Sequence, residues 1–405
     1  MNRNIIIAVA LLTALPALGA KPKARKPAWS ALQAMERAWD AFRAYDADAL
    51  DEVIDDWTDR LKKNQETPQE LADLQRQSVT LRNMLGRVEK ITVVDSMQVD
   101  TADLMSVFRL SADAGKLGGT SRYTSYTPAG ARELFYTAAS DTTGHRVLML
   151  ADILDDGTHQ NDRVIDLGFD ENTDVAYPYM LADGSTLYFA ANADIDGSLG
   201  GYDIYMTRRD DDGEWLEPTN VGMPYNSPGN DYMFMIDEGT GLGWFATDRN
   251  APDGKVTVYV FLPNETRVNY DADTDGIADY ARISSVAATQ PEGFDAAAHL
   301  KALDRPADAD QGNRPAQFTL SLGNGKVYTS LDDFRNATAR NMMRDYLDDM
   351  KTMQAEQDKL QALRSRYAHG DRSVQNEILN LERKVDNDRR IMQNRRNAII
   401  TVENR

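Results

Sequence analysis

The spacing of apolar positions changes character three times along the chain. Over residues 28–89 it is helical. Leu32, Met35, Trp39 and Phe42 fall on one face, and Leu50, Val53, Ile54, Trp57 and Leu61 form a second stripe that Asp46 or Asp48 would cap. In "TPQE", Thr67 is placed to cap, Pro68 suits a first turn and Glu70 completes a capping box. Leu71, Leu74, Leu81, Leu85 and Val88 follow as a third stripe. At Ile91 the period drops to two. "KITVVDSMQVD" alternates and is β-branched, and the chain reads as strand and turn to about residue 262. Residues 263–316 are rich in Ala, Asp and Pro and read as an excursion with one short helix near Phe294–Leu303. "QFTLSLGNGKVYTSL", residues 317–331, is a late strand pair, expected to return and pair with the early strands. From Leu331 onward the pattern is helical again, interrupted at "YAHGD". Beyond that break Val374, Ile378, Leu381, Val385, Asp388, Met392, Arg395, Ile399 and Val402 keep a heptad seam with two polar members. It faces Tyr346, Met350, Met353, Leu360 and Tyr367 of the preceding helix, so an antiparallel hairpin is expected, with the polar positions leaving room for a coiled-coil partner through 374–402.

Within the strand region three segments line up: "SYTPAGARELFYTAASD", "PYMLADGSTLYFAANAD" and "MFMIDEGTGLGWFATDR". In each, an aromatic residue (Tyr126, Tyr179, Phe234) stands eight positions before a leucine (Leu134, Leu187, Leu242) that leads an aromatic strand. The interval is 53 and then 55 residues. A further strand follows each copy: "HRVLMLAD", "YDIYMTRR" and "KVTVYVF". A strand, a Gly-bearing turn and an aromatic strand make a hairpin. One such sheet cannot bury both of its faces, and radial stacking of several would do so. "KITVVDSMQVD" with "LMSVFRLSADAG" is expected to supply one more, incomplete, unit.

The residues Asp183-Gly184, Leu187-Tyr188-Phe189, Gly200-Gly201-Tyr202-Asp203-Ile204-Tyr205, Trp215, Pro218, Asn220-Val221-Gly222 and Asn226 strongly resemble the WD40-like propeller repeat of TolB-type periplasmic proteins. The likeness is closest to the version in exported envelope proteins of Bacteroidota-type bacteria. The copy at 121–167 has "GHRVLML" in place of the Gly-Gly-x-Asp-Ile-Tyr element, and the copy at 231–261 has "KVTVYVF". The resemblance implies a mainly β fold: a WD40-like β-propeller over 90–335, between an N-terminal helical cap (21–89) and a C-terminal helical hairpin (336–405). It marks a fold and a compartment rather than a reaction.

Composition sharpens this picture. "MNRNIIIAVALLTALPALGA" has one early cation, an apolar run from Ile5 to Leu15 and small residues at its end, so residues 1–20 read as a secretory signal peptide followed by the basic leader "KPKARKP". There is no cysteine, hence no disulfide and no lipid carried on a cysteine. The net charge of −19 argues against a nucleic-acid partner, which needs a basic footprint. The expected setting is the periplasm, the outer membrane or the cell surface.

"DADTDGIADYARI" carries the most specific candidate chemistry. Asp271, Asp273, Asp275 and Asp279, with the Ile277 carbonyl, occupy calcium-loop positions around Gly276, but Arg282 stands where an EF-hand needs a bidentate Glu. Calcium is therefore a possible cofactor at a non-standard loop. "NADIDGSLGGYD" is a second acidic Gly loop. Its Asp194, Asp196, Tyr202 and Asp203, with Asp211 and Trp215 of the next turn, form the candidate partner-binding rim. His145, His159, His299 and His369 show no metal-ligand spacing, and H-E-x-x-H, G-x-S-x-G and a phosphate-cradling Gly loop are missing. The reading is a non-enzymatic scaffold that docks an envelope protein or peptide. The alternatives are a propeller hydrolase or lyase acting on polysaccharide, and a calcium-stabilised structural surface component.

Overall fold

The computed structural model describes residues 29–404, apart from 62–66, 112–113, 130–132, 155–156, 211–212, 265, 272, 302–317, 319, 323–326, 329 and 369–370. The expected signal peptide, the basic leader, Asp211 and His369 lie outside the described residues.

Three helices come first: α1 (Ala31–Arg43), α2 (Ala47–Asp59) and α3 (Gln69–Leu85). Ser30 caps α1, and Asp46, not Asp48, caps α2 by accepting from Ala49 N at 2.9 Å. The capping box expected at Thr67 does not form. Pro68 itself takes the N-cap position of α3, and no side chain caps it. The predicted stripes bury Phe42, Leu50, Val53, Ile54, Trp57, Leu71, Leu74 and Leu81 in one core, which also takes in Leu199, Met223 and Ala281 from later in the chain.

Among the described residues, the strands between Thr92 and Leu262 make three antiparallel sheets. The first runs β2 (Lys116–Gly119), β3 (Thr124–Thr127), β4 (Glu133–Ala139), β5 (Arg146–Ile153) and β6 (His159–Val164) in sequence order. The second is β7 (Asp174–Met180), β8 (Thr186–Asn192), β9 (Asp203–Arg208) and β10 (Thr219–Asn220). The third is β11 (Asp231–Asp237), β12 (Leu242–Thr247) and β13 (Lys255–Leu262), completed on its outer side by β1 (Thr92–Asp100). Each repeat copy is thus a leading hairpin, with Tyr126 paired to Phe135, Tyr179 to Tyr188 and Phe234 to Phe245. The sheets stack in series. β7 packs on β3, β4 and β5, and β11 packs on β7, β8 and β9. A single apolar core, with Phe135, Tyr179, Phe189 and Trp244 at most 2% exposed, runs through all three. The described residues form no closed propeller.

Two expectations are corrected. β1 is not part of a separate unit; it lies antiparallel along the whole of β13, from Thr92↔Leu262 to Asp100↔Lys255. Its outer edge is covered, with Val93 N donating to Thr289 Oγ1 (3.0 Å) and Gln290 Nε2 to Val93 O (2.8 Å). The late pair β14 (Leu320–Ser321) and β15 (Val327–Tyr328) does not return to the early strands. It pairs with itself and packs Leu320 and Tyr328 on Phe334, Met343 and Ile399. β13 has already taken the partner that β14 was expected to find.

Between these pieces lie α4 (Ile277–Arg282) and α5 (Ala296–Leu300), the latter within the helix expected near Phe294. The chain ends in the antiparallel pair α6 (Ala337–Ala368) and α7 (Gln375–Glu403). Val374, Ile378, Val385, Met392 and Ile399 of the seam are buried. The polar seam residues are paired in place: Asp388 accepts from Lys384 at 2.8 Å, and Arg395 is bound to Asp349 of α6. Two arginines tie the hairpin to the sheets. Arg364 lies 3.4 Å from Asp152, a 4% exposed side chain at the end of β5, and 2.8 Å from Glu382; Arg396 donates to Glu238 at 2.8 Å.

The Gly-Gly pair before β9 now has a physical reason. A Cβ on Gly200 would collide with Gly229 O and lie 2.8 Å from Ser227 O, both backbone atoms of the segment entering β11. Gly201 N donates to the same Gly229 O at 3.0 Å. The main chains of the second and third sheets come into direct contact here, beside the Asn230 side chain. Gly200→Ala should therefore cost about 1–3 kcal/mol in urea unfolding. Arg364→Ala should cost about 1–2 kcal/mol, because the buried Asp152 loses its nearer cation and keeps only the Asn161 amide at 2.9 Å and Arg163 at 3.7 Å, and should make the hairpin the first site of proteolysis. Unchanged unfolding midpoints would refute either reading.

Candidate functional site

The three sheets meet at the end where β5, β7, β9 and β11 begin. Arg146 opens β5, and its N–H donates to Asp174 Oδ1 at 2.7 Å while its guanidinium reaches Asp174 Oδ2 at 3.2 Å. The same guanidinium bonds the Tyr202 hydroxyl and lies over the Tyr202 ring, 4.9 Å from its centroid. Tyr177, Tyr202 and Tyr232 stand edge-on or tilted to one another, with centroids 5.6–6.1 Å apart. Tyr202 N donates to Asn230 Oδ1 at 3.1 Å. Asn230 Nδ2 and the Tyr232 hydroxyl in turn donate to Asp248 Oδ2 at 2.7 and 2.9 Å. One network thus joins sheet one (Arg146), sheet two (Asp174, Tyr177, Tyr202) and sheet three (Tyr232), together with Asp248 just beyond β12.

Tyr177 holds a φ of 59° at the bulge between Ala176 and Tyr179. For a bulky residue this left-handed backbone is strained, and such strain collects at sites where a side chain must be aimed. Here it turns the ring toward Tyr202 and Tyr232, and the hydroxyl donates to Ser121 O at 2.6 Å.

Burial pushes the Tyr177 phenol up to about 12 and raises Tyr202 and Tyr232 still further, despite Arg146 beside Tyr202, so the three phenols stay neutral. Burial works against ionising Asp174, but its hydrogen bonds from Arg146 prevail and hold it below the usual carboxylate range. A glycosidase needs one carboxyl kept protonated near neutrality, and Asp174 is the reverse.

The residues expected on the rim divide. Asp194 and Asp196 are exposed, Asp194 pairing with Arg76 of α3 at 2.7 Å. Trp215 is half-buried beneath Arg209, 4.6 Å from its ring centroid. Tyr202 is only 7% exposed and enters the site as a buried wall of the network. Asp203 has no exposure at all and cannot meet a partner; its Oδ2 accepts from Leu199 N at 2.6 Å and holds the loop before β9. Arg146, Asp174, Tyr177, Tyr232 and Asp248 were not singled out by the sequence. One signal was visible: "GHRVLML" replaces "GYDIYM" in the first copy, which sets Arg146 at the start of β5 where the second copy sets Asp203 at the start of β9.

In the expected calcium loop, one carboxylate is engaged by protein groups. Asp279 lies in the first turn of α4 and accepts from Arg282 (2.6 Å) and Ser284 (2.9 Å), and these bonds hold its carboxyl below the usual range. Gly276 takes the left-handed turn at φ 71°. Among the described residues, no three His, Cys, Asp or Glu side chains converge on one point, and Asp271, Asp273 and Asp275 are not drawn together with Asp279.

Beside the site two carboxylates are fully buried. Asp231 accepts from Ser227 N (2.6 Å) and from Arg249 (3.0 Å); burial pushes it up to about 6 against the pull of Arg249. Asp203 is raised by burial and by Asp231, and its Oδ1 has no hydrogen-bond partner. A folded-state pKa above the unfolded value contributes stability at acid pH that is lost as pH rises. Asp203→Asn keeps the acceptor for Leu199 and removes that linkage. The variant should match the parent near pH 4 and become more stable than it above that, by up to about 1.4 kcal/mol per pH unit. Thermal melts across that range test this, and a constant difference would refute it.

The chain matches no protein-family model, no curated protein and no solved structure.

Proposed function

We propose that the chain is an exported, non-enzymatic protein-binding scaffold of the cell envelope. In this reading the three sheets act as blades of a TolB-like propeller. A protein or peptide partner docks at this end of the sheets on the half-buried Arg146 and Tyr232, with the buried Tyr177 and Tyr202 rings supporting them from beneath. The observation that carries the reading is this cluster itself: neutral tyrosines and an arginine, drawn from all three sheets and fixed by one hydrogen-bond network. Tyr and Arg dominate binding hot spots because they present rigid aromatic area and directional donors together. A preorganised cluster also spares the entropy of ordering those side chains on association. The polysaccharide-hydrolase reading has less support, because Asp174 is committed to Arg146 as an anion.

Crosslinking in envelopes of the native host tests the proposal. A tagged full chain should capture one stoichiometric protein, and should do so without residues 339–405. Arg146→Ala with Tyr232→Ala should reduce the capture at least about tenfold while leaving a cooperative thermal melt. Loss of the partner only when 339–405 is removed would contradict the proposal, as would no partner at all.

A further inference from the structure

A second cleft lies on the third sheet, lined by residues other than those of the tyrosine cluster, although Arg249 and Asn250 directly follow Asp248 of that network. It encloses about 560 Å³ between β1, β13, the loop after β12 and the end of α4. That is within the range of small-molecule sites, about 300–1,000 Å³.

The lining decides what chemistry it suits. Arg249 faces the cleft but is fully committed, to Thr247 Oγ1, Ala281 O, Tyr225 O and Asp231. Arg282 is likewise neutralised by Asp279 at 2.6 Å, although its Nε has no hydrogen-bond partner. Among the described residues that line the cleft, both cations are thus already ion-paired with carboxylates. The unengaged groups are neutral. The Gln98 and Asn250 amides and the Thr257 and Tyr259 hydroxyls all line it, and none bonds a described residue. Each amide carries both donors and an acceptor, and each hydroxyl is donor and acceptor at once. Anions call for donors only and metal cations for acceptors only. Paired donor and acceptor capacity at every group matches a ligand whose own groups are hydroxyls. Met97 adds apolar surface of the kind the C–H face of a sugar ring covers.

The backbone around the cleft is strained on two sides. Asn250 has φ 56° and Ile283 φ 55°. For β-branched Ile283 the left-handed region is a real outlier, held by its cap hydrogen bonds to Asp279 O and Tyr280 O. Both strained residues line the same cleft, as expected where backbone is spent on shaping a site.

We propose that this cleft binds a short neutral saccharide through Gln98, Asn250, Thr257 and Tyr259. This site is independent of the partner proposed for the tyrosine cluster.

The test is saturation-transfer NMR and titration calorimetry on the full chain, with maltose, lactose and N,N′-diacetylchitobiose as probes. At least one should bind saturably. Gln98→Ala and Asn250→Gly should each weaken it about tenfold, the loss of one or two hydrogen bonds. Asn250→Gly also removes the φ strain, so its melting temperature should not fall, which separates lost binding from lost folding. Failure of all three probes overturns the proposal, as does binding that survives both substitutions. Tighter binding of glucuronate than of glucose overturns its neutral character.

Discussion

The buried contact between Arg249 and Asp231 is the constraint on which the rest of the structure turns. Asp231 opens β11, and Arg249 follows β12; both are nearly sealed from water. An isolated buried charge is very costly, so each exists only because the other is present and the remaining guanidinium protons are used. They are used on long-range targets. Arg249 reaches Tyr225 O in the segment leading to β11, and Ala281 O in α4, which packs in the core of the three N-terminal helices. One guanidinium thereby fixes the third sheet, α4 and the helical layer relative to each other. The same region brings Gly229 against Gly200, so the stacking of the second sheet on the third depends on it as well.

From that junction the functional geometry follows. Sheets stacked through their leading strands bring the starts of β5, β7, β9 and β11 together at one end. Side chains there have neighbours from three sheets, which is how Arg146, Tyr177, Tyr202 and Tyr232 come to share a network. At the opposite end Asp152 and Glu238 receive Arg364 and Arg396, and the helical hairpin occupies that face. The tyrosine end is where the proposed partner would dock. The third sheet also ends differently from the other two. Its outer strand is β1, from well over a hundred residues earlier in the chain, and the pairing creates the wall on which the polar cleft is built.

Much of this was legible in the residues. The helical stripes, the change of period at Ile91, the three aromatic hairpins and the terminal helix pair all follow from local periodicity, and each formed. What failed was long-range. Nothing in the alternation of "KITVVDSMQVD" says which strand it joins, because strand pairing is decided by tertiary competition and not by the strand's own pattern. For the same reason "QFTLSLGNGKVYTSL" reads as a partner for the early strands, whereas β13 takes β1 and the late strands pair with each other. At the site, motif reading found Tyr202 and Asp203 as members of the Gly-Gly-x-Asp-Ile-Tyr element but took both for surface groups. Their acidic, Gly-rich context looks solvated, yet close main-chain packing at Gly200 buries them. Tyr177 and Tyr232 looked like ordinary strand aromatics, since no local signal marks a positive φ on a tyrosine or a contact between strands of different sheets.

The central claim is that the three sheets and β1 are one cooperative body organised at the Arg249 junction. Native-state hydrogen exchange on the intact chain tests it most directly. Amides of residues 92–100 and 255–262 should exchange together, and only with the global unfolding that also exposes β7 and β8. If residues 92–100 exchange early while the second sheet remains protected, β1 is an appended strand and the account is wrong.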